Sequence, residues 1–136
     1  MKRPKKPRWV GLEEAAVLHQ MLLAEHGGAS GIRDSGLFES AMDRPRNLHA
    51  YADPPATLFQ LAAAYAFGLA RNHPFVDGNK RIAFVVSLTF LRLNGFTVTA
   101  TQEALYLTFY ALAAGEISEA GLALWLQQHA SPLNDR

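Results

Sequence analysis

The chain has 136 residues, of which 49% are apolar and 18% charged, with no cysteine and a formal charge of +1. That length fits one domain with a core of its own, and the composition excludes a disordered polyelectrolyte. Without cysteine there is no disulfide, thiolate metal site or cysteine nucleophile, and a fold that needs no staples suits a reducing cytosol. The near-neutral total argues against a globally basic nucleic-acid binder. It also conceals a split: Lys2, Arg3, Lys5, Lys6 and Arg8 open the chain, and the remainder carries eight cations against 12 acids, a net −4.

The basic start leads through Trp9-Val10-Gly11-Leu12 into Glu13-Glu14 rather than into an apolar run, so it does not read as a signal peptide. The longest apolar stretches, 61–70 and 82–93, are shorter than the ~18–20 residues of a bilayer span. The expectation is a cytoplasmic protein with no membrane partner.

In chain order, Lys2–Arg8 holds two prolines among its charges and reads as a flexible arm. Leu12, Ala15, Ala16, Leu18, Leu22 and Leu23 recur at helical spacing up to His26, and Gly27-Gly28 supplies a stop. Residues 31–36 are turn chemistry. A short helix is predicted over 36–43, then a loop over 44–55, where three prolines fall. Asp53 before Pro54-Pro55 has the form of a helix start, a capping carboxylate followed by proline. The stretch 58–70 is apolar almost all round, which marks a buried helix. Its Ala62, Ala63, Ala64, Ala66 and Gly68 let a neighbour approach closely. After a break at Asn72-His73-Pro74, a second buried helix is predicted over 78–93, closed by Asn94-Gly95. Phe96-Thr97-Val98 reads as an extended link, and Thr101 and Ser118 as N-caps of helices near 102–114 and 119–129. Two buried central helices wrapped by amphipathic ones make an all-α domain.

The informative segment joins the two buried helices: His73-Pro74-Phe75-Val76-Asp77-Gly78-Asn79-Lys80-Arg81. A linker between apolar helices has no structural need for so many polar groups. Gly78, Asn79 and Lys80 open a helix, whose free N–H groups and positive dipole end attract anions. Lys80 and Arg81 add cations suited to phosphate. As a merely solvated first turn they would oppose the dipole by ~0.3–1 kcal/mol. Asp77 is an oxygen ligand of the kind that shares Mg²⁺ with phosphates, and it can equally cap the helix. His73, held outside the helix by Pro74, can take a proton from a hydroxyl, although a histidine before proline is often only structural. Phe75 anchors the loop. A base, a metal ligand and an anion cradle are the parts of phosphoryl or nucleotidyl transfer. Arg71 either lines this site or makes a structural contact.

The segment resembles the signature of the Fic/Doc family, histidine-x-phenylalanine-x-acid-glycine/alanine-asparagine, with the lysine-arginine that follows it in the Doc (death-on-curing) branch. His73, Phe75, Asp77, Gly78, Asn79, Lys80 and Arg81 fill it without a gap. Gly31-Ile32-Arg33-Asp34-Ser35-Gly36-Leu37 with Glu39-Ser40-Ala41, then Leu91-Arg92-Leu93-Asn94-Gly95 and Gly115-Glu116-Ile117-Ser118, are similar to further stretches of the family in the same order. The resemblance spans about Leu12 to Leu126. It implies a single-domain Fic-type helical bundle over 10–130, after an arm at 1–9 and before a tail at 131–136. It further implies a toxin paired with a Phd-like antitoxin, which transfers the γ-phosphate of ATP to a hydroxyl of elongation factor Tu and arrests translation. Carried over, His73 is the base, Asp77 the Mg²⁺ ligand, and Gly78, Asn79, Lys80 and Arg81 hold the nucleotide phosphates. The segment 44–53 corresponds to a flap over the target.

The branch that transfers AMP has glycine in place of Lys80 and arginine in place of Phe84, and both differences favour the Doc branch. Gly78 is the AMP-branch choice, so AMP transfer to a protein hydroxyl is the alternative. The chain lacks the inhibitory serine/threonine-x-x-x-glutamate-glycine/asparagine motif, because Ala104 follows the Thr99–Glu103 spacing. Inhibition is therefore expected from a separate protein. A non-enzymatic binding module that uses the basic arm on nucleic acid is a further alternative. Its salt sensitivity would be bounded by about five phosphate contacts.

Overall fold

The computed structural model describes residues 6–133. Six helices, α1 (Leu12–His26), α2 (Ser35–Tyr51), α3 (Leu58–Asn72), α4 (Asn79–Leu93), α5 (Gln102–Ala113) and α6 (Glu119–His129), carry most of it. A two-stranded antiparallel ribbon, β1 (Phe96–Val98) with β2 (Ala130–Pro132), closes the end, pairing Thr97 with Ser131. The fold is all-α, as the pattern requires.

α3 is the axis. Leu61, Ala62, Ala63, Tyr65, Ala66, Leu69 and Ala70 are all buried, and α2, α4, α5 and α6 pack around the helix. Close approach is set by Gly68: a Cβ there would lie 3.1 Å from both Cα and Cβ of Ala41 on α2. α4 buries Ile82, Ala83, Val86, Phe90 and Leu91 against it. The expected caps of the last two helices are present, Thr101 accepting from the Ala104 N–H at 3.0 Å and Ser118 from the Gly121 N–H at 2.9 Å.

Three expectations are corrected. α2 does not stop near 43; it runs through Pro45 to Tyr51, so the loop predicted from 44 shrinks to the segment after Tyr51. Proline in a helix interior costs about 3 kcal/mol. Here Pro45 is fully buried, and Phe38, Ala41 and Met42 on the same helix join it in the interior. The flap assigned to 44–53 is consequently mostly helix. Finally, Asp53 does not start α3. The Asp53–Pro54 bond is cis, and the cap is Thr57, which exchanges hydrogen bonds with Gln60 at 3.1 and 2.8 Å.

The arm was expected to be flexible through residue 9. Residues 1–5 lie outside the described part, but Pro7 is buried and the Arg8 backbone exchanges two hydrogen bonds with the Asn94 amide at 2.8 and 2.9 Å. At the other end, residues 131 and 132 of the expected tail belong to β2, while 134–136 lie outside the described part. The Tyr65 hydroxyl donates to the Val10 carbonyl and accepts from the Val10 N–H, both at 3.0 Å. Burial pushes its pKa up to about 12, so it stays a donor. Tyr65→Phe leaves both Val10 groups without a partner and should cost about 1–3 kcal/mol. Urea denaturation would show a lower midpoint at unchanged slope, and an unchanged midpoint would refute this account of the docked N-terminal segment.

Candidate active-site cleft

The loop between α3 and α4 turns on backbone conformations that its sequence makes accessible. His73 ends α3 in the left-handed region, at φ 50° and ψ 56°, which is uncommon for a residue with a Cβ. Gly78 precedes α4 at φ 79°, where glycine carries no penalty. Between them the Asn79 side chain closes the loop on itself. Its Oδ1 accepts from the Phe75 N–H and its Nδ2 donates to the Phe75 carbonyl, both at 3.0 Å.

The Phe75 ring is the anchor. It is 2% exposed, lies parallel to the His19 ring of α1 with centroids 3.7 Å apart, and meets Phe38 of α2 at 4.8 Å. His19 Nε2 lies 2.8 Å from the Asp77 carbonyl oxygen. That oxygen can only accept, so the tautomer is fixed with the proton on Nε2. The loop is held from outside by the segment before α2. Arg33 donates through Nε to the His73 carbonyl at 2.7 Å and through Nη2 to the Asn72 carbonyl at 2.9 Å. A cation thus serves the carbonyl end of α3, as the dipole favours. Backbone bonds from Arg33 and Asp34 to Pro74, and from Val76 to Gly31, complete a short antiparallel contact. The extended segment beside the loop is therefore 31–34.

Asp77 is exposed and faces the cleft. Its Oδ1 accepts from the Gly78 N–H at 2.9 Å and its Oδ2 from the Ala29 N–H at 3.2 Å. Gly28 makes the second contact possible, because a Cβ there would stand 2.9 Å from Oδ2. Asp77 does not cap α4; Gly78 occupies that position. Each carboxylate oxygen keeps a lone pair for a further partner. A single carboxylate with open positions fits Mg²⁺ completed by substrate phosphates, rather than an all-protein cage. No group of three metal-ligating side chains occurs among the described residues.

His73, Asp77, Gly78, Asn79, Lys80 and Arg81 all line one cleft of about 760 Å³, within the range of small-molecule sites. The first turn of α4 brings the N–H groups of Asn79, Lys80 and Arg81, which have no partner among the described residues. Arg81 likewise has no carboxylate, and the Lys80 ammonium rests 4.7 Å from the Tyr110 ring centre. His73 is exposed, and its Nδ1 lies 3.4 Å from Asn79 Nδ2, too far to lock a tautomer. Phe84, stacked edge-on against Phe109 at 5.3 Å, forms an apolar part of the wall.

Two readings change with this geometry. The Asn79 amide is spent on the Phe75 backbone, so what Asn79 has left to offer an anion is its main-chain N–H. Arg71 is not among the residues that line the cleft; its guanidinium lies over the Phe67 ring at 5.4 Å, a ring that Arg44 also meets at 5.1 Å. Sequence reasoning did not find His19 or Arg33 as parts of the site. The signals were a histidine on an apolar helix face and, for Arg33, its place in the Gly31–Leu37 stretch that resembles the family.

The description "Fic/DOC family" belongs to the family model that matches residues 9–91. The chain is similar to the protein kinase doc of Escherichia phage P1, at 38% identity over 116 residues, 85% of this chain and 90% of that one. It is also similar to the toxin Doc of Mycolicibacterium smegmatis, at 43% identity over 74 residues, 54% of this chain and 57% of that one.

Asn79→Leu keeps the volume but removes both loop bonds. The two orphaned Phe75 groups should cost about 1–3 kcal/mol each, read as faster amide exchange at Phe75 and a lower melting temperature. Unchanged exchange there would show that the amide does not hold the loop.

Proposed function

The chain belongs to the Fic/DOC family, and from that premise we propose that it is a toxin kinase that moves the γ-phosphate of ATP to a protein hydroxyl, with elongation factor Tu as target and a separate Phd-like antitoxin as its restraint. The observation that carries the reading is the convergence of a histidine, a carboxylate and an unpaired cationic helix N-terminus on one cleft. The similarity to a protein named a kinase and to one named a toxin supports it.

In this reading His73 accepts the proton of the target hydroxyl as its oxygen bonds to the γ-phosphorus. The bond from that phosphorus to the β,γ-bridging oxygen breaks, and ADP leaves. The N–H groups of Asn79, Lys80 and Arg81 and the two side-chain cations face the charge that accumulates on the phosphate oxygens. Asp77 would hold Mg²⁺, which when bound neutralises charge on the nucleotide phosphates. His19 and Arg33 keep Asp77 and His73 in place. The Lys80 ammonium and the apolar Phe84 side chain favour phosphate over AMP transfer, and a site with no inhibitory segment of its own favours control by a partner. No described helix is long and apolar enough to cross a membrane.

The test is incubation of the protein with Mg²⁺, cell extract and ATP labelled at either the α or the γ phosphate. Label from the γ position on a translation factor is expected, and label from the α position alone would replace phosphate transfer by AMP transfer. His73→Ala should fold normally, since its side chain is exposed, and lose about 10²–10⁴-fold in rate, the usual contribution of a general base. Growth arrest that survives in soluble His73→Ala, but not after removal of residues 2–8, would instead favour a binding module.

A further inference from the structure

The cleft has a second wall, on α5, that the phosphate chemistry of α4 leaves unused. Gln102, Tyr106 and Tyr110 follow one another at four-residue spacing, share one face of the helix and all line the cavity. Tyr106 is 63% exposed and Tyr110 46%, and their rings lie 6.0 Å apart, tilted by 27°. The core does not need them, because Leu105, Phe109 and Leu112 already bury the neighbouring side of α5. Large exposed aromatics on a cavity wall are available to a ligand.

The link to the phosphate corner is direct. The Lys80 ammonium sits 4.7 Å from the centre of the Tyr110 ring, within cation–π range. Tyr106 is the next ring along, so the cation that would meet a phosphate and the free aromatic face are two short steps apart. Every nucleobase has a π-face, and stacking on an aromatic side chain is a base-tolerant source of affinity.

We propose that Tyr106 is the stacking platform for the base of a nucleoside triphosphate, and that Tyr110 is a positioning residue that holds Lys80 against the phosphates. This inference rests on the nucleotide reading above. The two tyrosines divide the work: one gives affinity for the base, the other keeps a flexible cation in the corner where charge must be met.

The experiment is calorimetric titration of the full chain with Mg·ATP and, separately, with magnesium tripolyphosphate, which has the phosphates but neither base nor sugar. The wild type should bind ATP about 5- to 150-fold more tightly, the span that one base–aromatic stack supplies. Tyr106→Ala should lose that preference while its tripolyphosphate affinity stays within about twofold, and Tyr106→Phe, which keeps the ring, should retain it. Tyr110→Leu should weaken both probes together, and Tyr110→Phe should restore both. Wild-type affinity for ATP in Tyr106→Ala would overturn the platform, as would equal affinity of the wild type for the two probes. A Tyr110→Leu variant that binds both probes as the wild type does would overturn the positioning role. Binding of neither probe by folded wild-type protein would overturn the nucleotide reading, and this inference with it.

Discussion

The cleft depends on one small closure, the Asn79 amide bonded to both polar groups of the Phe75 backbone. A tight loop between two buried helices leaves main-chain groups where water reaches poorly, and an unpaired buried group costs about 1–3 kcal/mol. A single side chain with one donor and one acceptor satisfies both. With the backbone closed, the Phe75 ring can only point inward, where His19 and Phe38 receive it. That fixes the end of α3 against the start of α4. His73 and the free N–H groups of α4 then face one space because the loop allows no other arrangement.

What the closure holds in place is unfavourable in isolation. His73 is left-handed without being glycine, and two cations follow Gly78 at the positive end of a helix dipole. Lys80 has an aromatic face rather than a carboxylate beside it, and Arg81 has no counter-charge among the described residues. Among the described residues no ion pair relieves this charge, whereas the core beneath is apolar and close-packed. Local penalties of this kind persist where the surrounding structure over-determines them, and they gather at functional sites. An incoming polyanion would remove the charge penalty, so the same arrangement that weakens the empty fold favours a phosphate ligand.

How much of this the sequence shows depends on distance along the chain. The loop residues are contiguous, so their convergence on one cleft was legible from spacing alone, as were both central helices and the Thr101 and Ser118 caps. α2 was cut short because Pro45 is a strong local signal, overridden by burial that only the folded chain supplies. The start of α3 was misplaced at Asp53, although Thr57-Leu58-Phe59-Gln60 already has capping-box spacing. β2 carries no strand propensity in Ala130-Ser131-Pro132 and forms only because β1 offers an edge. His19 and Arg33 reach the loop from 58 and 40 residues away, and no local pattern announces such a contact.

The same logic separates the two walls of the cleft. The α4 wall is built from a contiguous signature and braced by buried rings, so its geometry is dictated by the core and has little freedom to vary. On α5 the buried Leu105, Phe109 and Leu112 fix where the helix sits, with Phe109 also reaching the cleft, while the exposed Tyr106 and Tyr110 are free of that duty. Substitutions on the exposed face would change what the cleft grips without moving the helix that presents it. Under the proposed function, a rigid wall for phosphate and an adjustable wall for the remainder of the ligand would let one fold keep its chemistry while its ligand preference changes. In this chain the two walls meet where Phe84 packs on Phe109 and where the Lys80 ammonium rests on the Tyr110 ring, and under the proposed function the second contact is where a choice made on α5 would reach the phosphates.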